Sequence, residues 1–362
     1  MNIKSLLLGS AAALVAVSGA RAADAVMAEP EAVEYVRVCD AYGAGFFYIP
    51  GTETCLKIGG IVRYQIDFKN GDKGWRKQSY FELGFDARND TELGTLRSFL
   101  QLKAGTVTTN PVAGVPAVPA VPPLPAIPAV PAVVGGVGGG TVTINAAYIT
   151  LGGLKMGYHD TLYDGGLDGE GSAGGGAAVN QMGYTFSGGN GFSATLSLEE
   201  ETTNINYVPN VVGKVSFAQG WGGVDAWVAY DDRDIVGAPA GSGNNSNWSV
   251  KGRLTANVGT GGVFKLLASY NSDLGFYSNG GKWTIGGSFK QTFNPKLAVT
   301  GLVQYQGDTN FNAAGTPNNI VFGGVVDYTV VPGLLTKLAV WHKTNGAAPN
   351  TTEGFLRFER SF

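Results

Sequence analysis

Few residue types in this chain of 362 residues could do chemistry: two histidines, two cysteines and one run of acids. His159 and His342 are the candidate general bases. Nucleophilic catalysis, as in a lipase, needs such a base beside a nucleophile, and neither histidine has a convincing partner in the sequence. We therefore expect a protein that is not an enzyme.

The acids lie in the glycine-rich segment 159–181, which contains no Lys or Arg. Carboxylates in a flexible loop could chelate Ca²⁺, although their spacing is not that of an EF-hand. A solvated external loop is the other interpretation that the residues allow. No other metal or cofactor is expected. The four acids are Asp160, Asp164, Asp168 and Glu170.

The first 22 residues have the features of a secretory signal peptide. Lys4 provides the positive start, an apolar run covers residues 6–17, and Ala20-Arg21-Ala22 is a small-residue cleavage site. The apolar run is too short to span a bilayer. We expect export, with a mature chain that begins near Ala23.

Cys39 and Cys55 are the only cysteines of the chain. An even pair in an exported protein is typical of a disulfide, which here would contribute about 3 kcal/mol in the chain-entropy model. Two free buried thiols are the alternative. A metal site is disfavoured because no histidine lies nearby. We predict a disulfide within an N-terminal segment, residues 23–55.

The composition excludes several classes of protein. Charged residues make up only 15% and aromatic residues 11% of the chain, whereas disordered chains are rich in charge and poor in aromatics. No run of about 18 apolar residues is present, so a helical membrane protein is excluded. The net charge of −3, with acids and bases interspersed, gives no reason to expect nucleic acid as a partner.

From residue 56 onward, apolar and polar residues alternate with the period of β-strands. In the first segment one parity is apolar and the other carries Lys57, Arg63 and Asp67. Most segments approach the ~9–11 residues with which a tilted strand crosses a bilayer. About sixteen such segments are predicted, near residues 56–68, 78–89, 93–105, 141–151, 154–159, 181–187, 192–201, 209–219, 223–231, 247–258, 263–271, 281–291, 297–307, 319–330, 334–343 and 353–362.

The connections between these segments alternate in length. Residues 188–191 and 331–333 are short turns, whereas 232–247 and 308–318 are longer loops. This alternation is typical of an outer-membrane barrel, as are aromatic residues gathered at strand ends. A soluble β-sandwich, whose strands also alternate, is the alternative fold. We predict an all-β fold, a transmembrane antiparallel β-barrel over residues 56–362.

Residues 111–134 form a low-complexity insert built on a Pro-Ala-Val-Pro theme. Spaced prolines favour an extended conformation and remove donors from a strand ladder. We expect an external loop between the third and fourth strands. It is either a latch over a neighbouring subunit or a tolerated insertion.

Several motifs resemble the alphaproteobacterial porins of Rhizobiales such as Brucella and Rhizobium. The resemblance is strongest in EYVRVCDAYG (residues 34–43) and YIPGTETC (48–55). It continues in TELGTL (91–96) and GGNGFS (188–193), and it includes the signal and the ending RFERSF (357–362). The motifs therefore reach both termini of the chain.

The resemblance implies a homotrimer in the outer membrane of a Gram-negative bacterium, in contact with its lipid and lipopolysaccharide. It also implies that segment 159–181 folds into the lumen as a constriction loop. Phe362 resembles the C-terminal aromatic residue that the barrel-assembly machinery reads. The solutes of such a protein would be small and hydrophilic.

Basic residues are expected on the wall of this pore. Arg63 and Arg357 occupy the polar parity of the first and last strands, which must pair to close a barrel. Arg97 and Lys103 occupy the same parity of the third strand. An acidic loop facing this wall would set a transverse field across a narrow, wet opening.

The expected function is therefore a passive, water-filled diffusion channel for small hydrophilic solutes and ions. The alternative is a structural or surface-binding barrel without an open pore. The strand number separates the two, because about eight strands fill the interior with side chains and sixteen do not.

Overall fold

The computed structural model describes residues 37–72, 74–109, 136–174, 177–200, 208–232, 246–278, 280–309, 311, 318–346 and 348–362. The expected signal peptide and the insert 111–134 lie outside the described residues. Among those described, no helix is long and apolar enough to span a membrane.

The described chain is almost entirely β-strand, with one short 3₁₀ helix at Asp40–Tyr42. The strands are β1 (Phe47–Tyr48), β2 (Cys55–Lys69), β3 (Arg76–Thr91), β4 (Gly94–Thr109), β5 (Gly136–Gly139), β6 (Thr143–Leu151), β7 (Leu154–Asp160), β8 (Ala178–Gly189), β9 (Phe192–Glu200), β10 (Asn210–Gln219), β11 (Gly222–Asp231), β12 (Asn247–Val258), β13 (Gly262–Asn271), β14 (Trp283–Asn294), β15 (Leu297–Gly307), β16 (Asn319–Val331), β17 (Leu334–Asn345) and β18 (Ala348–Ser361).

Sixteen of these strands form a closed antiparallel barrel. The last strand, β18, pairs with β2, with Arg357 opposite Gln65. β1 and β5 are short additions that pair with β2 and β4 and were not predicted. The closure confirms the predicted barrel and excludes the β-sandwich, whose two sheets keep free edges.

The two ends of the barrel differ in their connections. At one end, here called the turn end, short hairpins join the strands; Asn190 and Gly191, both with positive φ, make one of these turns. Positive φ at both positions is the type I′ geometry that matches strand twist and favours Asn-Gly. Longer connections, such as residues 161–177 and 272–282, leave the opposite end, here called the loop end.

The barrel has an apolar outside and a polar inside. In β12, Trp248 and Val250 are 48% and 37% exposed, whereas Ser249 and Lys251 are 0% and 3% exposed. Alternate residues of a strand face opposite sides, so this pattern places the apolar parity towards lipid and the polar parity towards the lumen. The order is the reverse of that in a soluble protein.

Aromatic side chains line the outer face near the loop end. The rings of Trp248 and Tyr270 lie 5.3 Å apart, and those of Trp283 and Tyr305 lie 4.8 Å apart. All four residues lie within three positions of the loop ends of their strands. This arrangement is typical of the aromatic girdle at a membrane interface.

A disulfide joins Cys39 to Cys55, as predicted. Cys55 is the first residue of β2, so the bond ties the preceding segment to the turn end of the barrel. Phe46 packs against the two buried cysteines. The backbone N–H of Cys39 donates to the Phe46 carbonyl at 3.0 Å.

Candidate functional site

Part of the connection between β7 and β8 lies against the inner wall of the barrel. Its described residues, 161–174 and 177, are here called the inner loop. Its first residues contact β11, where the Trp227 indole N–H donates to the Leu162 carbonyl at 2.9 Å. Further along, the Asp168 backbone N–H donates to the Ser288 hydroxyl of β14 at 3.0 Å. Ala173 and the Gln304 side chain of β15 exchange two hydrogen bonds. The inner loop is shorter than the predicted segment 159–181, because β7 extends to residue 160 and β8 begins at residue 178.

Glycine lets the inner loop lie close to this wall. Gly169 and Gly171 have φ values of 106° and 82°, in the left-handed region that other residues rarely adopt. A Cβ atom on Gly171 would lie 2.6 Å from the Trp341 ring of β17. The ring and the loop backbone could therefore not pack together if residue 171 carried a side chain.

Two of the four predicted acids meet basic side chains of the wall. Asp168 forms an ion pair with Lys265 of β13 at 2.6 Å. Glu170 lies 3.3 Å from the Lys337 ammonium and 4.0 Å from the Arg357 guanidinium. These five side chains are 15–29% exposed. Their charges are therefore partly shielded from water and partly exposed to the lumen.

The other two acids lie apart from this pairing. Asp164 is exposed on the inner loop. Asp160 is the last residue of β7 and borders a cavity of about 330 Å³ that Lys155 and Lys214 also line. Within the described ranges, no three His, Cys, Asp or Glu side chains lie close enough to hold a metal ion. The four acids are thus spread along the lumen. They do not form the cluster that a Ca²⁺ site would need.

The basic residues predicted for the wall have different surroundings. Arg357 lies beside the inner loop and donates to the Gln65 side chain at 2.6 Å, whereas Arg63 pairs with Glu359 at 2.8 Å. Arg97 pairs with Asp86 near the turn end. Lys103 is half-buried on β4, opposite Glu82 of β3. Only Arg357 of these four comes within ion-pair distance of a loop acid among the described residues.

Other bases that face the inner loop were not singled out from the sequence. Lys251 donates to the carbonyls of Tyr163 and Gly174, and Arg253 donates to the Gly166 carbonyl at 3.3 Å. Lys265 and Lys337 pair with the loop acids. Strand parity indicates that such residues point inwards, but parity does not tell which of them the loop crosses.

A second connection also folds inwards, and the sequence did not predict it. Tyr277, between β13 and β14, is fully buried; its ring lies 5.3 Å from that of Tyr163, which belongs to the inner loop. The Tyr277 hydroxyl donates to the Glu199 carboxylate at 3.0 Å. The same carboxylate accepts the Leu162 backbone N–H at 2.8 Å. Glu199 therefore joins both connections to β9.

Burial sets the protonation of these two tyrosines. Burial raises the pKa of Tyr277, and the nearby Glu199 carboxylate raises it further. Burial also raises the pKa of Tyr163. Both phenols therefore remain neutral at physiological pH, and the Tyr277 hydroxyl remains a hydrogen-bond donor.

The two histidines make no catalytic arrangement within the described part of the chain. The Nδ1 atom of His159 lies 2.8 Å from the carbonyl oxygen of Asp160, and its ring packs against Tyr148. The Nδ1 atom of His342 lies 2.8 Å from the Thr352 hydroxyl on the last hairpin.

Comparisons with known proteins agree with this architecture. The family model described as "Porin subfamily" matches residues 24–355. The chain belongs to this porin subfamily. Porin Omp2a of Brucella suis is 39% identical, and Porin Omp2b of Brucella canis is 38% identical, over the full length of both chains in each case. The resemblance to Rhizobiales porins is thereby confirmed.

Solved structures share the fold of this porin at low sequence identity. The outer membrane channel DcaP of Acinetobacter baumannii superposes with a TM-score of 0.63 at 14% identity, over 87% of this chain and 99% of that one. Salmonella typhi OmpF in complex with daunomycin gives a TM-score of 0.57 at 12% identity, over 86% and 98% of the two chains.

Proposed function

We infer that this porin forms a passive, water-filled diffusion channel in the outer membrane of a Gram-negative bacterium, and that it is not an enzyme. The observation that carries the inference is the closed sixteen-stranded barrel with a polar inner face. A barrel of this size has an interior too wide for wall side chains to fill. Passive diffusion is driven by the concentration gradient and needs no cofactor.

The inner loop is proposed as the constriction of this channel. Asp168 and Glu170 lie on the loop, and Lys265, Lys337 and Arg357 lie on the wall beside it. Opposite charges held a few ångströms apart produce a local field where the inner loop borders the lumen. Such a field orients polar solutes and disfavours apolar ones, for which the disturbed hydration is not compensated.

Assembly is proposed to follow the pattern of the family. Residues 1–22 would act as a signal peptide for export and would then be cleaved. The mature protein would form a homotrimer in contact with lipid and lipopolysaccharide. Phe362 is 64% exposed and exchanges backbone hydrogen bonds of 3.1 Å with Gly60, next to the closing strand pair. Its accessible ring suits recognition by the barrel-assembly machinery.

Single-channel recording of the purified protein in a planar bilayer tests this function. We expect stepwise, ohmic conductance in KCl, together with swelling of proteoliposomes in small sugars. Native mass spectrometry of the detergent-solubilised protein measures the oligomeric state, for which we expect a trimer. A folded barrel with neither conductance nor swelling would favour the alternative, a structural or surface-binding barrel without an open pore.

A further inference from the structure

A recess lies on the inner wall near the turn end, away from the inner loop. Its volume is about 440 Å³, and it is lined by Tyr42, Phe46, Lys57, Gly84, Arg88 and Phe99, among others. This volume falls within the range of small-molecule sites. It is here called the turn-end recess.

The floor of the turn-end recess is flat because two glycines face each other. Gly59 of β2 is paired with Gly84 of β3, and both share the parity of the inward-facing Asp86. A Cβ atom on Gly84 would lie 3.6 Å from the Phe99 ring, at ordinary contact distance. The space above Gly84 is thus free of side chains but bordered by an aromatic ring.

The disulfide-closed segment supplies the opposite wall of the recess. Phe46 is 4% exposed and packs against the Cys39–Cys55 pair. The Tyr42 hydroxyl donates to the Asp90 carboxylate at 2.7 Å. Lys57 and Arg88 lie against this wall, 5.8 and 5.0 Å from the centre of the Phe46 ring.

The acids of the recess are already occupied by neighbouring donors. Asp86 accepts two hydrogen bonds from Arg88 and two from Arg97, at 2.7–3.0 Å. Glu82 accepts from the Gln101 side chain at 2.9 Å and from the Tyr80 hydroxyl. Asp86 thus has its four acceptor positions filled, whereas Glu82 has two of its four filled and lies opposite Lys103.

Of the bases of the recess, Lys57 keeps donors available. Lys57 is exposed, and its ammonium donates to the Ala44 carbonyl at 3.2 Å, so further N–H groups point to solvent. Arg88 uses Nε and Nη2 for Asp86. Three bases surround the recess, namely Lys57, Arg88 and Arg97. Only two acids line it, so the surplus of positive charge favours an anion.

We propose that the turn-end recess is a binding subsite for small aromatic carboxylates. The carboxylate contacts Lys57 and Arg88, and the ring lies over Gly59 and Gly84 beside Phe99. This inference rests on the channel function, because the ligand reaches the recess through the lumen. The disulfide-closed segment would then take part in solute binding in addition to its structural role.

Benzoate block of single-channel current tests the proposal. Benzoate is added to each side of the bilayer in turn, with KCl conductance recorded first as an independent check of the channel itself. We expect concentration-dependent current block by benzoate and little by benzyl alcohol, which has the ring without the charge. Lys57→Gln should raise the half-blocking concentration about tenfold, since it removes one charge-assisted hydrogen bond.

A steric variant and a matched control complete the test. Gly84→Leu fills the space above the floor and should abolish block while every charge is retained. Lys290→Gln removes a half-buried lysine near the turn end of β14, on another part of the wall, and should leave block unchanged. If Lys290→Gln weakens block as much as Lys57→Gln, or if benzyl alcohol blocks as well as benzoate, the subsite is refuted. Should Gly84→Leu fail to assemble, the two lysine variants alone decide the question.

Discussion

Neutralising the loop acids should make the channel more selective for anions. The change is the double variant Asp168→Asn with Glu170→Gln, which keeps the size of both side chains. In the native structure these acids offset the charges of Lys265, Lys337 and Arg357. Without the acids, these wall cations act on passing ions uncompensated.

The size of the shift follows from Coulomb's law. An ion passing about 6 Å from one carboxylate in water gains or loses about 0.7 kcal/mol. Screening at about 0.1 M salt reduces this to about 0.4 kcal/mol. Two carboxylates act with opposite sign on cations and anions, so their loss changes the permeability ratio by about 1.5 kcal/mol, which is roughly tenfold. At about 1 M salt, with a Debye length of ~3 Å, the change falls to about twofold.

Reversal potentials in a KCl gradient measure this ratio directly. Glu92→Gln is the control, because this residue is exposed in the turn between β3 and β4 and lies outside the lumen. The opposite variant, Lys265→Gln with Lys337→Gln, should shift selectivity towards cations. If the acid variant conducts normally with an unchanged reversal potential at low salt, the loop acids do not border the ion path and the constriction proposal fails.

Three further variants test other parts of the structure. Leu254→Arg places a charge on the outer face and should cost about 2–4 kcal/mol, whereas Thr255→Arg on the inner face should be tolerated; equal losses of assembled protein on refolding into vesicles would contradict the assignment of the faces. Cys39→Ser should slow folding, followed by heat-modifiable electrophoresis, while leaving KCl conductance unchanged; thiol labelling of the unreduced, denatured native protein would argue against the disulfide. Tyr277→Phe removes a donor to Glu199 and should lower the unfolding free energy by about 1 kcal/mol in a urea titration. Because the pKa of Tyr277 is raised on folding, its contribution to the unfolding free energy is complete below about pH 10 and is lost as the pH rises further. The phenylalanine variant should not show this loss. Identical pH profiles of the two proteins would count against the buried hydrogen bond.

Local features of the sequence were enough to predict the barrel. The alternation of apolar and polar residues in 56–68 and 247–258 indicates the two faces of a strand, because successive side chains of a strand point to opposite sides. Asn190 and Gly191 report on a tight turn because their own φ values are needed for it. Each of these signals acts between neighbours in the chain, so it is readable without knowing the fold.

The partners of the inner loop were decided by tertiary structure alone. Glu170 pairs with Lys337, 167 positions away, and Lys265 pairs with Asp168, 97 positions away. Parity placed many bases inside the lumen, including Arg63, but it could not tell which of them the loop would meet. That choice depends on the path of the loop along the wall and on the glycines that let it lie close to the wall.

The inward position of Tyr277 had no signal in the sequence for the same reason. Its hydrogen bond to Glu199 and its contact with Tyr163 join three segments that are distant in the chain. They come together only because closure of the barrel brings β9, the inner loop and the connection after β13 into one interior. Strands and turns follow from contacts between near neighbours in the chain. The contacts of the loops inside the lumen form only when the barrel closes.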